Sequence, residues 1–301
     1  MVARSAAGGI SNQTGGDALF DEIGRDYQTT TGAYIMNSGL AFLIGCAVAM
    51  LLFFLTWILA YRCDNFSWVD AAWAFGIGLI GVFWLTVLGI GCAKHWAVAG
   101  LLVLWSARLG WHLQKRIRRT HPEEDARYVK LREIWSGRVL SAFFWFFQAQ
   151  AASVVLLALP FLIIAVDADT TWSGWESVGL CVALVGILGE GLADMQMARF
   201  KSQEHGTKSV CQEGLWRYSR HPNYFFEAVI WLGFYLYACG SNWGWAMIYA
   251  PCVIIFLLLK VTGIPPTEAA AVARKGDAYR RYQKSTSPFI PLPPRRNNKN
   301  F

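Results

Sequence analysis

The sequence predicts an all-α protein, a multi-pass transmembrane helical bundle of about seven spans with its N-terminus outside and its C-terminus cytosolic. Three observations carry this. Hydrophobic residues make up 55% of the 301 and charged residues only 16%, with 15 Trp and 19 Phe, an apolar content that calls for lipid. Apolar runs long enough to cross a hydrocarbon core, roughly 17 to 25 residues each, fall at about 39–61, 69–91, 96–113, 140–166, 174–198, 222–239 and 244–260. The Lys and Arg residues gather in alternate loops, and such loops stay cytosolic.

Along the chain, residues 1–38 are rich in Gly, Ser, Thr and Asp and read as a disordered polar tail. No short apolar core follows a basic start there, so no cleavable signal peptide is expected. The spans follow one another without a Pro/Ser-rich linker, which makes 39–290 a single membrane domain; 291–301 is a basic tail.

Orientation rests on the loops. The 114–139 connection holds Lys115, Arg116, Arg118, Arg119, Arg127, Lys130, Arg132 and Arg138, and the 199–221 connection holds Arg199, Lys201, Lys208, Arg217 and Arg220. The 167–173 connection is acidic and lacks Lys and Arg. Net charge is +7, but these cations border membrane helices, where anionic headgroups account for them; nucleic acid is not expected as a partner. Membrane lipids and a lipophilic small molecule are, and no obligate protein partner is evident. The seven cysteines form no CxxC pair, so neither metal nor disulfides are indicated. A chain of this type belongs in the endoplasmic reticulum of a eukaryote or the inner membrane of a bacterium.

Ionisable groups at membrane depth are costly and mark functional sites or structural pairs. Glu190 and Asp194 lie four apart on one helical face that continues through Met197 to Lys201. The alternative is that both carboxylates pair with neighbouring Arg residues to hold the bundle. Asp70 and Arg108 are weaker candidates, as substrate contacts or as a structural pair.

The densest polar segment is GLWRYSRHPNYFFE, 214–227, which gathers Arg217, Tyr218, Arg220, His221, Asn223, Tyr224 and Glu227. Pro222 suits the first turn of a helix. The free N–H groups there, beside Arg217 and Arg220, would seat a phosphate or carboxylate. Asn223 and Glu227 lie one turn apart, so Glu227 points from that anion site toward the bilayer interior. Two decoys are set aside. Gly76-Ile77-Gly78-Leu79-Ile80-Gly81 fits G-x-G-x-x-G but lies mid-span, where small residues let helices approach. The PLPP run at 291–294 reads as the end of the tail rather than a polyproline ligand.

The 214–227 segment resembles the C-terminal domain of the steroid 5-alpha-reductase superfamily. RCDNFSWVDAAW (62–73), LWSARLGWHL (104–113), EDARYVKLREIW (124–135), FFQAQAASVVLLALP (146–160), LADMQ (192–196) and GDAYRRYQKSTSPFIPLPP (276–294) resemble its uncharacterised multi-pass membrane branch, so the likeness covers nearly everything after residue 60. The resemblance implies a bundle that binds NADPH through about 190–290 and reduces a carbon–carbon double bond in a sterol-like or other apolar enone. It implies cofactor contacts at Asp194, Lys201, Asn223 and Tyr279, to which the anion site adds Arg217, Arg220 and His221. It implies an acid at the substrate end in Glu227; Tyr224 beside it reads as a second catalytic residue, and Glu190, from the polar stripe, as a weaker candidate for substrate contact. This chain departs from the steroid reductases at Arg220-His221-Pro222, and it carries Glu268 and Val272 where they have a His and a Tyr. The R-H-P-x-Y form also marks isoprenylcysteine and phospholipid methyltransferases. Three readings stand: the reductase; a methyltransferase using S-adenosylmethionine; and a non-catalytic lipid-binding membrane protein.

Overall fold

The computed structural model describes residues 37–203 and 209–295. It is helical throughout, and its one sheet-like pairing among the described residues is an isolated bridge between Ser219 and Ser287. The elements are α1 (Ser38–Arg62), α2 (Trp68–Val87), α3 (Ala93–Thr120), the short α4 (Ala126–Ile134), α5 (Val139–Val166), α6 (Gly174–Ser202) and α7 (Pro222–Ala238). After these come α8 (Tyr249–Phe256), a π-helical stretch Leu257–Val261, α9 (Ile264–Lys275) and α10 (Asp277–Ser285). Each expected span therefore appears as a helix. Four of them, α1, α2, α5 and α6, together with the run Gly244–Lys275, are long and apolar enough to cross a membrane, and the protein is an integral membrane protein. Lys94, His95, Arg108 and His112 along α3 and the 17-residue length of α7 keep those two outside that set. The polar tail expected over 1–38 lies outside the described residues up to position 36; Asn37 caps α1 by accepting a hydrogen bond from Gly39 N at 2.8 Å.

Helix α1 turns Leu40, Leu43, Met50, Leu51 and Leu55 outward and buries a stripe of mostly small residues, Ala41, Gly45, Ala49, Phe53 and Ala60. Gly45 lies so close to Trp84 that a Cβ would come within 2.8 Å of its ring, and the Trp84 indole donates to Ala41 O at 3.0 Å. Between α2 and α3, Gly78 abuts Ser106 and Gly81 abuts Leu102. The glycines of the G-x-G-x-x-G string thus serve helix contact.

Lipid tails are as apolar as leucine, so packing rather than water exclusion draws such helices together. The closest pair is α6 with α7. A Cβ on Gly179 would meet Tyr237 N at 2.3 Å, one on Gly233 would meet Ala183 N at 2.4 Å, and one on Gly186 would meet Ile230 N at 2.8 Å. Each step along α6 is matched by an equal step back along α7, an antiparallel register that brings Glu190 opposite Glu227.

Two polar ends close the bundle. At one, the turn 63–67 is strapped to the segment around α4: Phe66 N donates to Glu124 at 2.5 Å, Asp125 N donates to Ser67 Oγ at 3.0 Å, and Arg132 pairs with Asp64 at 2.8 Å. At Asp125 burial opposes ionisation, but the hydrogen bonds and charge of Arg127 outweigh it and hold the carboxyl below its usual range. At the opposite end Lys94 is fully buried and meets Asp167 and Glu176, each at 3.1 Å, and the carbonyl of Asp169 at 3.1 Å. Ser173 and Glu176 form a capping box that starts α6. Trp96, Trp172, Trp175, Trp243 and Trp245 stand exposed around this end.

Two outcomes follow from the packing. Gly186→Val should destabilise by about 1–3 kcal/mol, the usual cost of overpacking, whereas Gly191→Ala, whose Cβ would meet nothing within 4 Å, should leave the melting temperature in detergent unchanged. Lys94→Met leaves two buried carboxylates without a cation and should cost about 3–5 kcal/mol; adding Asp167→Asn and Glu176→Gln should recover most of it in the same assay.

Candidate active site

The segment before α7 is built onto the end of α6. Gly214 takes φ +55 against the Gln196 side chain, whose carbonyl accepts from Leu215 N at 2.9 Å, and the Trp216 indole donates to Ala193 O at 2.9 Å. A 3-10 turn, Gly214–Arg217, then leads into Pro222 at the first turn of α7.

The closing segment is stitched to the same place. Arg220 Nε donates to Glu268 at 2.6 Å, and its Nη1 donates to the carbonyls of Gln283 and Thr286 at 2.8 and 2.6 Å. His221 Nε2 lies 3.3 Å from Glu268, and Gln283 donates to the other Glu268 oxygen at 2.8 Å. The Tyr282 hydroxyl donates to the carbonyls of Trp216 and Ser219. Burial pushes the Tyr279 and Tyr282 hydroxyls well above their ordinary range. Arg220 and His221 therefore hold α9 and α10 against the start of α7, with Glu268 as their common partner. Tyr224 stacks on the His221 ring at 5.2 Å and shares a hydrogen bond with Thr267 at 3.1 Å.

One turn inside this platform lies a buried polar cluster drawn from three helices. The α3 guanidinium of Arg108 pairs with Glu190 and, at 3.1 Å, with Asp194. His112, one turn along α3, stands 3.7 Å from Asp194. The α7 carboxylate of Glu227 is clasped by two indoles: Trp105 donates to its two oxygens at 3.0 and 3.3 Å, and Trp231 donates at 2.9 Å. Three carboxyl groups, one guanidinium and two indole N–H donors thus share one interior site.

Asn223, one turn from Glu227 on the same helix, has a buried Oδ1 that accepts no hydrogen bond. A buried carbonyl oxygen without a donor is costly, and an N–H from a bound molecule would satisfy it. Lys201 lies near Arg116 and Arg274, and Arg274 lies near Lys275. Among the described residues Lys201, Arg217, Arg274 and Lys275 form no ion pair with a carboxylate, and the repulsion among Lys201, Arg274 and Lys275 is left for an anionic guest to offset.

Asp70 is held elsewhere. It accepts from Arg127 at 2.6 Å, Arg116 at 3.2 Å and Tyr128 at 2.6 Å, and its ion-pair partners are Arg116 and Arg127 rather than Arg108. Both of the weaker candidates thus have structural partners, though different ones. Sequence reasoning missed Trp105, Trp231, His112 and Arg274. The first two carried a usable signal, since each stands three or four residues from an intramembrane charge on its own helix and so shares its face. Arg274 carried none before the fold of α9 was known.

The family described as "Protein of unknown function (DUF1295)" matches residues 56–286. An uncharacterised protein of Schizosaccharomyces pombe is 26% identical over 300 residues, covering 88% of this chain and 82% of that protein. The steroid 5-alpha-reductase of Arabidopsis thaliana is 27% identical over 127 residues, 40% of this chain and 45% of that protein. The chain thus spans less than half the length of the plant reductase. No solved structure matches. The family match takes in every stretch that carries the sequence resemblance except the end of the last, 287–294, and the chain belongs to DUF1295, a steroid 5-alpha-reductase-like family.

Proposed function

We propose that the protein is a membrane-embedded reductase that uses NADPH to reduce a carbon–carbon double bond conjugated to a carbonyl in a lipophilic substrate. The observation that carries the reading is the pairing, one helical turn apart on α7, of the buried unpartnered Asn223 Oδ1 with the indole-clasped Glu227. The plant reductase supports it from outside the structure.

The residues present fit the cofactor. Asn223 would accept from the carboxamide N–H, and Lys201, Arg217, Arg274 and Lys275 would meet the phosphates. Arg220, His221 and Tyr279 act by holding α9 and α10 over the mouth, and Tyr224 braces His221. Held there, NADPH would supply the hydride, and a nearby side chain or water would supply the proton that completes the saturated bond. The Trp105 and Trp231 donors fix the Glu227 carboxyl in one orientation, and in its acid form it donates a hydrogen bond to the substrate carbonyl, drawing electron density from the double bond toward that oxygen. Arg108 sets the positions of Glu190 and Asp194 behind it.

The test is thermal stabilisation of the purified protein by NADPH, NADH and S-adenosylmethionine, since a specific ligand raises the melting temperature by mass action. NADPH should raise it. Asn223→Ala should weaken that response about tenfold or more in concentration, the worth of a hydrogen bond to a buried acceptor, without lowering the ligand-free melting temperature. Arg220→Ala should lower the ligand-free value by roughly 3 kcal/mol of stability, because it leaves Glu268 without its guanidinium. Stabilisation by S-adenosylmethionine alone would make the protein a methyltransferase, and no response to any of the three would favour the non-catalytic reading. Once a substrate is found, Glu227→Gln should cut turnover while the NADPH response survives.

A further inference from the structure

The outward side of α10 has no part in the site just described. Asp277, Arg280, Arg281 and Lys284 are exposed there, spaced i, i+3, i+4 and i+7 on one helical face, while Tyr279 and Tyr282 are buried on the other. Among the described residues the three cations form no ion pair. They line a cleft of about 720 Å3 together with Val272, Asp277 and Gln283.

The chain leaving α10 adds a second feature. Its extended segment is pinned along its length: Arg220 N donates to Ser287 O at 2.8 Å, Leu292 N donates to Tyr218 O at 3.0 Å, and Arg295 N returns to Ser285 O at 2.8 Å. Within it the side chains of Ile290 and Leu292 are 55% and 53% exposed. A fixed segment that shows two apolar side chains beside a row of cations is poorly suited to water. It is well suited to the interface of an anionic bilayer, where apolar side chains sink below the headgroups and Lys and Arg meet phosphates. The segment lies beside the turn that starts α7, where Ser219 Oγ donates to Phe289 O at 2.7 Å and Tyr218 O accepts from Leu292 N at 3.0 Å.

We infer that the basic face of α10 and the Phe289–Leu292 segment form a docking surface for anionic phospholipid, which holds the closing segment down on the membrane. The occupant is a bilayer headgroup rather than a free anion, because Ile290 and Leu292 have no role in holding a soluble phosphate.

The experiment compares the full chain in nanodiscs of phosphatidylcholine alone with discs containing phosphatidylserine, reading thermal stability and amide hydrogen exchange over 277–292. Phosphatidylserine should raise the melting temperature and slow exchange in that segment, and high salt should weaken both effects. Neutralising the face should weaken lipid association roughly fivefold per residue, so Arg280→Gln/Arg281→Gln/Lys284→Gln should remove the difference between the discs. Ile290→Ser/Leu292→Ser should reduce it with all the charges in place. All five positions are exposed or lie on the rim, so the variants should fold. Identical behaviour of the native chain in both discs overturns the inference. So does reproduction of the effect by inorganic phosphate in phosphatidylcholine discs, or loss of the NADPH response in the triple variant, which would assign the cations to the cofactor.

Discussion

The contact between α6 and α7 is the constraint from which the interior site follows. Gly179, Ala183, Gly186 and Gly233 let the two backbones approach until a single added methyl on a glycine would strike main-chain atoms. At that separation no long side chain fits between the helices, so the polar residues of the next turns, Glu190 and Glu227, are brought toward each other and toward Arg108 on α3. Further along α6, Ala193 and Gln196 hold the 3-10 turn that aims Pro222 and Asn223. In a bilayer no solvent-driven collapse would restore this geometry if the contact widened. The register of glycines therefore governs the arrangement of the buried polar cluster without being part of it.

A second device keeps the end of the chain in place. Arg220 reaches a carboxylate on α9 and two carbonyls at the end of α10, while the backbone of the same residue bonds Ser287. One residue thus joins three parts of the chain that lie far apart in sequence. The cation that looked at first like an anion ligand is occupied by its own protein, and the exposed cations around Lys201 and Arg274 remain for a ligand.

Much of the architecture was legible because lipid allows few solutions: apolar runs had to be helices, and all seven are helical, five of them in stretches long and apolar enough to cross a membrane. Glu190, Asp194 and Glu227 were legible as well, since a charge inside an apolar run stands out. Their partners were not. Nothing in the local sequence says that Arg108 reaches Glu190 rather than Asp70, because that choice depends on α3 and α6 running side by side in the same direction, as the Lys94–Glu176 and Arg108–Glu190 pairs require. The split between Arg220, turned inward, and Arg217, left exposed, was hidden for the same reason. It is set by where α9 and α10 return, and no periodicity in 214–227 records that. The small residues of α6 were visible in the sequence, but only the structure identifies α7 as the helix they admit.

For the proposed reductase, the exposed indoles at the Lys94 end, Trp96, Trp172, Trp175, Trp243 and Trp245, bear on which substrates are selected. Indoles prefer the zone between headgroup and hydrocarbon, so a collar of five works as a waterline that sets how deeply the protein rides. Glu227 lies five residues into α7, about 7 Å along the axis from its first turn. With the waterline fixed, that carboxyl stays at one height in the leaflet. A lipophilic molecule floats with its own polar group at a depth set by its shape, and only one whose carbonyl floats level with Glu227 would be presented to it. The bilayer would then sort substrates by buoyancy before the protein makes any contact with them.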